Sequence, residues 1–110
     1  MNAKANMPGN MDEMLRKAQQ VQRDIAKVRE SLKDRVVEGK SGNGAVTVQI
    51  NGAREVVVLK IEPKAVDPSD ISMLEDLVLV AVNHAIKKCE DMINKEMNKA
   101  SGMNLGGLMG

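Results

Sequence analysis

The amino-acid sequence predicts an α+β fold: a long N-terminal helix, a three-stranded antiparallel meander and a long C-terminal helix, in a chain that pairs with a second copy of itself. Three observations predict it. Apolar residues recur at helical spacing from Met14 to Leu32 and again from Leu74 to Ile93, and between these stretches the chain turns abruptly to β-branched residues. The second helix is also too long for a compact chain of this size, for which a radius of gyration of about 13 Å is expected.

Residues 1–10 contain Pro8 and Gly9 and carry no periodicity, so they read as a flexible lead-in. Asn10 followed by Glu13 has capping-box spacing and places the start of the first helix. Met14, Ala18, Val21, Ile25, Val28 and Leu32 then recur in steps of four and three, opposite Arg16, Arg23, Lys27 and Glu30. Such a seam serves equally as core packing or as a helix contact within a dimer. The helix is expected to run to about Asp34, roughly 36 Å at 1.5 Å per residue.

Three strands follow, at Val36-Val37, at Val46, Val48 and Ile50 alternating with Thr47 and Gln49, and from Val56 to Ile61. Gly42-Asn43-Gly44 tolerates positive φ between the first two, and Asn51-Gly52 is a two-residue hairpin signal between the next two. Pro63 ends the meander, and the acidic segment from Glu62 to Asp76 is expected to face away from phosphate. Ser72 and Glu75 form a second capping box. The helix that follows carries a broad apolar stripe and is expected to end near Ala100, roughly 44 Å on. One three-stranded sheet and one other helix are too little to cover that stripe, which is why a homodimer is expected. Residues 101–110, uncharged and rich in Gly, Met and Leu, read as a flexible tail released by Gly102.

Composition bounds the function. At 110 residues the chain suits one domain, and it has no apolar run long enough for a bilayer and no signal-like start, so a soluble, cytoplasmic protein is expected. A single cysteine, Cys89, excludes an intrachain disulfide and cannot supply half of a zinc site. Gly39-Lys40-Ser41 fails as a P-loop, since Asp34 stands where the first glycine belongs. Gly42 and Gly44 fail as a dinucleotide fingerprint, which ends on Thr47. His84 and Cys89, five residues apart on a helix, point about 140° from each other and make no dyad. Cys89 lies among Ala85, Ile86 and Ile93 and reads as a small core residue, and His84 as solvated. No enzyme, cofactor or metal is expected.

The formal net charge is +1, so any argument for a polyanionic partner rests on local clustering. From Met14 to Arg29 five cations (Arg16, Lys17, Arg23, Lys27 and Arg29) face one carboxylate, Asp24, a net charge of +4. Lys87, Lys88, Lys95 and Lys99 form a weaker group interleaved with Glu90, Asp91 and Glu96. A charge run on a helix is usually a solvated face; duplication in a dimer makes it a credible phosphate surface. Phe, Tyr and Trp are absent, which removes the platforms on which single-stranded bases stack and favours duplex.

Several stretches, in their order and spacing, resemble the YbaB/EbfC family of bacterial nucleoid-associated proteins. They are Lys17-Ala18-Gln19-Gln20-Val21-Gln22, then Glu38 to Gly44 and Val46 to Gly52 across the hairpins, Ile61-Glu62-Pro63, Leu74-Glu75-Asp76-Leu77, and Ala81-Val82-Asn83-His84-Ala85. Lys95-Glu96-Met97 and the Gly, Met and Leu tail add to the likeness, which covers nearly the whole chain. The resemblance implies a tweezer-like homodimer in the nucleoid, with 11–100 a single DNA-binding and dimerisation domain whose helical arms contact double-stranded DNA. It places the DNA-facing positions on the first and last helices, favouring Arg23, Lys27, Asn83, Lys87 and Lys88, with Arg16 and Lys17 joining from the charge cluster. His84 stands where family members often carry aspartate. Weak sequence preference, salt-sensitive binding and a part in chromosome organisation and gene regulation follow as expectations. The competing reading is a protein-interaction module that uses the Met-rich helices and has no direct role on DNA.

Overall fold

The computed structural model describes the backbone of residues 8–109 and the side chains of residues 10–101. Helix α1 (Pro8–Leu32) leads into strands β1 (Val36–Ser41), β2 (Val46–Asn51) and β3 (Val56–Ile61); a 3₁₀ turn (Pro63–Ala65) then connects to helix α2 (Ile71–Met109). The α+β class and the element order are those expected from the sequence. Most of the expected lead-in at 1–10 lies outside the described residues. Within it, α1 begins at Pro8 rather than at a capping Asn10, because the fixed φ of proline suits a first helical turn that needs no amide.

The three strands form one antiparallel sheet in the order β1-β2-β3. In β2, Val46, Val48 and Ile50 are buried and alternate with half-buried Thr47, Gln49 and Asn51, so one face is core and the other is open. Gly42, Asn43 and Gly44 all take positive φ in the first turn, as their identities suggested. The second turn differs from the expected two-residue hairpin. Asn51 accepts from the Arg54 amide at 2.9 Å, and its side-chain Oδ1 accepts from the Ala53 and Glu55 amides at 2.9 and 3.1 Å. Four residues therefore lie between the strands, and the positive φ falls on Arg54, at 64°, instead of Gly52. Gly52 serves another purpose. A β-carbon there would collide with the carbonyl of Leu32, so its lack of a side chain lets the turn close on the end of α1.

Helix α2 lies across β1 and β2 and leaves β3 largely uncovered. Its cap is Asp70, whose carboxylate accepts the Met73 amide at 3.2 Å; Ser72, the expected cap, is already inside the helix. Contact with the sheet is close. Gly39 of β1 sits under Ala81 and Ala85, where any β-carbon would meet the helix backbone. Ser41 donates its hydroxyl to the Leu77 carbonyl on the same side. The core comprises Leu32, Val46, Val48, Ile50, Ala81, Ala85, Cys89 and Ile93, with Val28, Met92 and Met97 packed against it. Cys89 is in the core as expected; its thiol donates to the Asn51 carbonyl at 3.3 Å, and burial pushes its pKa up.

Beyond the sheet, α2 runs along α1 and continues to Met109, past the end expected near Ala100; side chains of the tail at 102–110 lie outside the described residues. The radius of gyration is 22.2 Å and the longest extent 83 Å, well above the compact value of about 13 Å. The helices therefore protrude. The seam of α1 is buried at Leu32, whereas Met14, near its other end, is 66% exposed.

Candidate nucleic-acid interface

Helical periodicity decides which cations of α1 act together. Arg16, Arg23 and Lys27 fall within about 40° of one another around the helix, and Lys17 lies about 100° aside. All four are exposed, and among the described residues none forms an ion pair. Apolar Val21, Ile25, Val28 and Leu32 occupy the far side, so burial of that seam turns the cations outward. The result is a one-sided basic ridge along a protruding helix.

The second group is placed differently. Asn83, Lys87 and Lys88 are exposed on the part of α2 that crosses the sheet, not on the part that runs beside α1. Lys88 lies near Glu38 of β1, adding to the field that holds the Glu38 carboxyl below its ordinary range. The main causes of that shift are the Gln49 amide donating at 3.0 Å and Lys40 at 3.2 Å. Asn83 and Lys87 share the outer stripe of α2 with Leu79, Val80 and Ile86, which are 59%, 56% and 41% exposed. Within one chain, then, the seven candidate residues form two patches. Helix α1 meets α2 around Ile93, Asn94 and Met97, more than a turn beyond Lys88, which keeps the patches apart.

His84, expected to be solvated, is exposed but tied down: its Nδ1 accepts the Lys40 amide at 3.2 Å. The same nitrogen lies 3.4 Å from the Lys40 carbonyl, so the ring covers part of the outer edge of β1. Of the acidic segment from Glu62 to Asp76, residues 62–70 connect β3 to α2 and residues 71–76 form the first turns of α2; Asp67 is held below its usual pKa by the Ser69 hydroxyl and amide. Among the described residues no helix is long and apolar enough to cross a membrane, and no cluster of His, Cys, Asp and Glu is arranged to hold a metal ion.

A family model described as the YbaB/EbfC DNA-binding family matches residues 7–104, nearly the whole chain. The chain belongs to the YbaB/EbfC DNA-binding family. Its relatives include a nucleoid-associated protein of Alkaliphilus metalliredigens, 42% identical over 96% of this chain and 98% of that one. Another, a nucleoid-associated protein of Pelotomaculum thermopropionicum, is 46% identical over 87% of this chain and 91% of its own length. A crystal structure of an uncharacterized protein from Helicobacter pylori matches with a TM-score of 0.62 at 26% identity, covering 71% of this chain and 82% of that one. Membership in the YbaB/EbfC family thus rests on the full helix-sheet-helix body, not on one motif.

Proposed function

We propose that this YbaB/EbfC-family chain binds double-stranded DNA as a homodimer, in the nucleoid of the cytoplasm, and organises it without catalysing a reaction. The observation that carries this reading is the ridge of Arg16, Arg23 and Lys27, with Lys17 beside it: cations that form no ion pair among the described residues, on a helix that projects from the body. Each cation that meets a phosphate releases a counterion, so binding weakens as salt rises and depends little on sequence. No aromatic side chain is available for stacking on unpaired bases, which favours duplex over single strands.

Two uncovered apolar surfaces support the dimer. Leu59, 53% exposed, pairs with buried Val48, so it lies on the sheet face that α2 covers only over β1 and β2. Leu79, Val80 and Ile86 line the outer stripe of α2. Setting the α2 stripe of one copy over the β3 half of the other buries both and projects two basic ridges from one body. Asn83 and Lys87 then lie within or beside the helix contact, and the arm cations carry most of the phosphate binding. Names of the relatives, nucleoid-associated proteins, agree with a part in chromosome organisation and, through it, gene regulation.

The test is a titration of protein into a labelled random duplex, followed by anisotropy at two salt concentrations. Wild type should bind more weakly as salt rises. Arg23→Gln with Lys27→Gln should weaken binding on every sequence and flatten the salt dependence by about one unit of slope for each phosphate left unneutralised. Unchanged affinity would remove these residues from the interface, and absence of wild-type binding at low salt would overturn the DNA reading.

A further inference from the structure

Where α1, the β2–β3 turn and α2 meet, a cavity of about 340 Å³ is lined by Arg29, Lys33, Arg54 and Asn94 and by apolar Leu32, Ile93 and Met97. Among the described residues no carboxylate lines it. Lys33 is bonded to Glu30 at 2.9 Å, while neither Arg29 nor Arg54 forms an ion pair among the described residues. Glu90 borders only the smaller neighbouring cavity that Arg54 also touches. Three cations from two separate segments, one of them already paired with Glu30, therefore line one recess of mixed polar and apolar walls that is open to solvent.

A second observation singles out Arg54. Its φ of 64° is a left-handed conformation that glycine and asparagine adopt readily and arginine does not. Asn43 at 57° is an ordinary occupant of that region, and its neighbours there are glycines. Turn geometry thus does not account for arginine at position 54, since a residue better suited to the backbone would close the same turn. What arginine adds is a guanidinium at the mouth of the recess, a planar fork suited to an oxyanion.

We infer that Arg29, Lys33 and Arg54 form a phosphate-binding site at the base of the arms, which takes a phosphodiester of duplex DNA. This rests on the DNA-binding reading above and extends it to a surface that the basic ridge does not reach. Arg29 lies about 120° around α1 from Arg23, so the two sets of cations face different directions. The body of the protein then holds the duplex backbone as well as the arms do.

Two measurements test it separately from the reading on which it rests. The first is an NMR titration of wild type with inorganic phosphate, following the Arg29 and Arg54 side chains and the Gly52 amide. Saturable shifts confined to this recess are expected and should vanish in Arg29→Gln/Arg54→Asn; their absence from wild type would overturn the site. The second is the salt dependence of duplex binding by that double variant. Asparagine suits the turn, so the fold is kept, which the unchanged thermal transition of Arg54→Asn alone would verify. The slope of log K against log salt should become shallower by about one for each phosphate that the variant no longer neutralises. If phosphate shifts appear but duplex binding by wild type and variant is the same, or wild type binds no duplex, the recess is a site for free phosphate and the assignment to DNA is overturned. If wild type binds duplex but shows no phosphate shifts and the variant keeps the full slope, the DNA reading stands and this inference fails.

Discussion

At Gly39 the absence of a side chain lets β1 rest on the backbone of α2, with a β-carbon barred by the Ala85 amide and the Ala81 carbonyl. Neither obstacle is a flexible side chain, so relief requires the helix to move off the sheet. Gly39→Ala should destabilise the fold by about 1–3 kcal/mol, the usual range for overpacking. Gly44 is the contrast. Nothing lies near its missing β-carbon, but its φ is +88°, so Gly44→Ala should cost only the backbone strain, about 1 kcal/mol. Urea unfolding followed by circular dichroism at one fixed protein concentration checks both, since the chain has no aromatic fluorophore. Equal losses at the two positions would remove close helix–sheet approach as the reason for Gly39. In the sequence alone, Gly39 reads as part of a failed P-loop and of the Glu38 to Gly44 stretch that carries the family resemblance; its partners lie more than forty residues away, where no local pattern reaches.

The elements themselves were more legible than their ends. Alternation in β2 and the four-and-three spacing of α1 are properties of neighbouring residues; the first is buried as expected, and the second is covered from Val21 to Leu32 while Met14 and Ala18 stay exposed. Caps and turns are decided by one or two hydrogen bonds among several local candidates. Asp70 and Ser72 both precede the apolar pattern of α2, and it is the Asp70 carboxylate that meets the Met73 amide. Asp70→Ala should therefore lower stability by about 1 kcal/mol, with Ser72→Ala close to neutral, in the same urea experiment. The reverse order would place the cap at Ser72. Asn51-Gly52 misleads for a similar reason: Asn51 folds its own carboxamide onto the turn, and Gly52 is reserved for contact with Leu32, so the tight hairpin that the pair suggests does not form.

For the whole molecule, an extent of 83 Å and an uncovered β3 belong to a chain whose apolar surface is not fully buried by itself. The proposed dimer predicts that Leu59→Glu, which puts a charge on the sheet face beside α2, leaves a monomer at micromolar concentration while helix content is retained. Thr47→Glu, on the opposite face of the same sheet, should leave the dimer intact. Sedimentation velocity distinguishes them; a monomeric wild type, or a Leu59→Glu variant as dimeric as wild type, would overturn this interface. By itself the sequence determined the class of fold, the order of elements, the buried face of β2 and the outward set of cations on α1, because each follows from the period at which residues repeat along the chain. Only the tertiary structure decided which glycines permit close approach, which carboxylate caps α2, that Asn83, Lys87 and Lys88 stand apart from the basic ridge, and that Arg54 joins Arg29 at one recess. Those are relations between residues distant in sequence, set by how the helices cross the sheet, and no local periodicity encodes them.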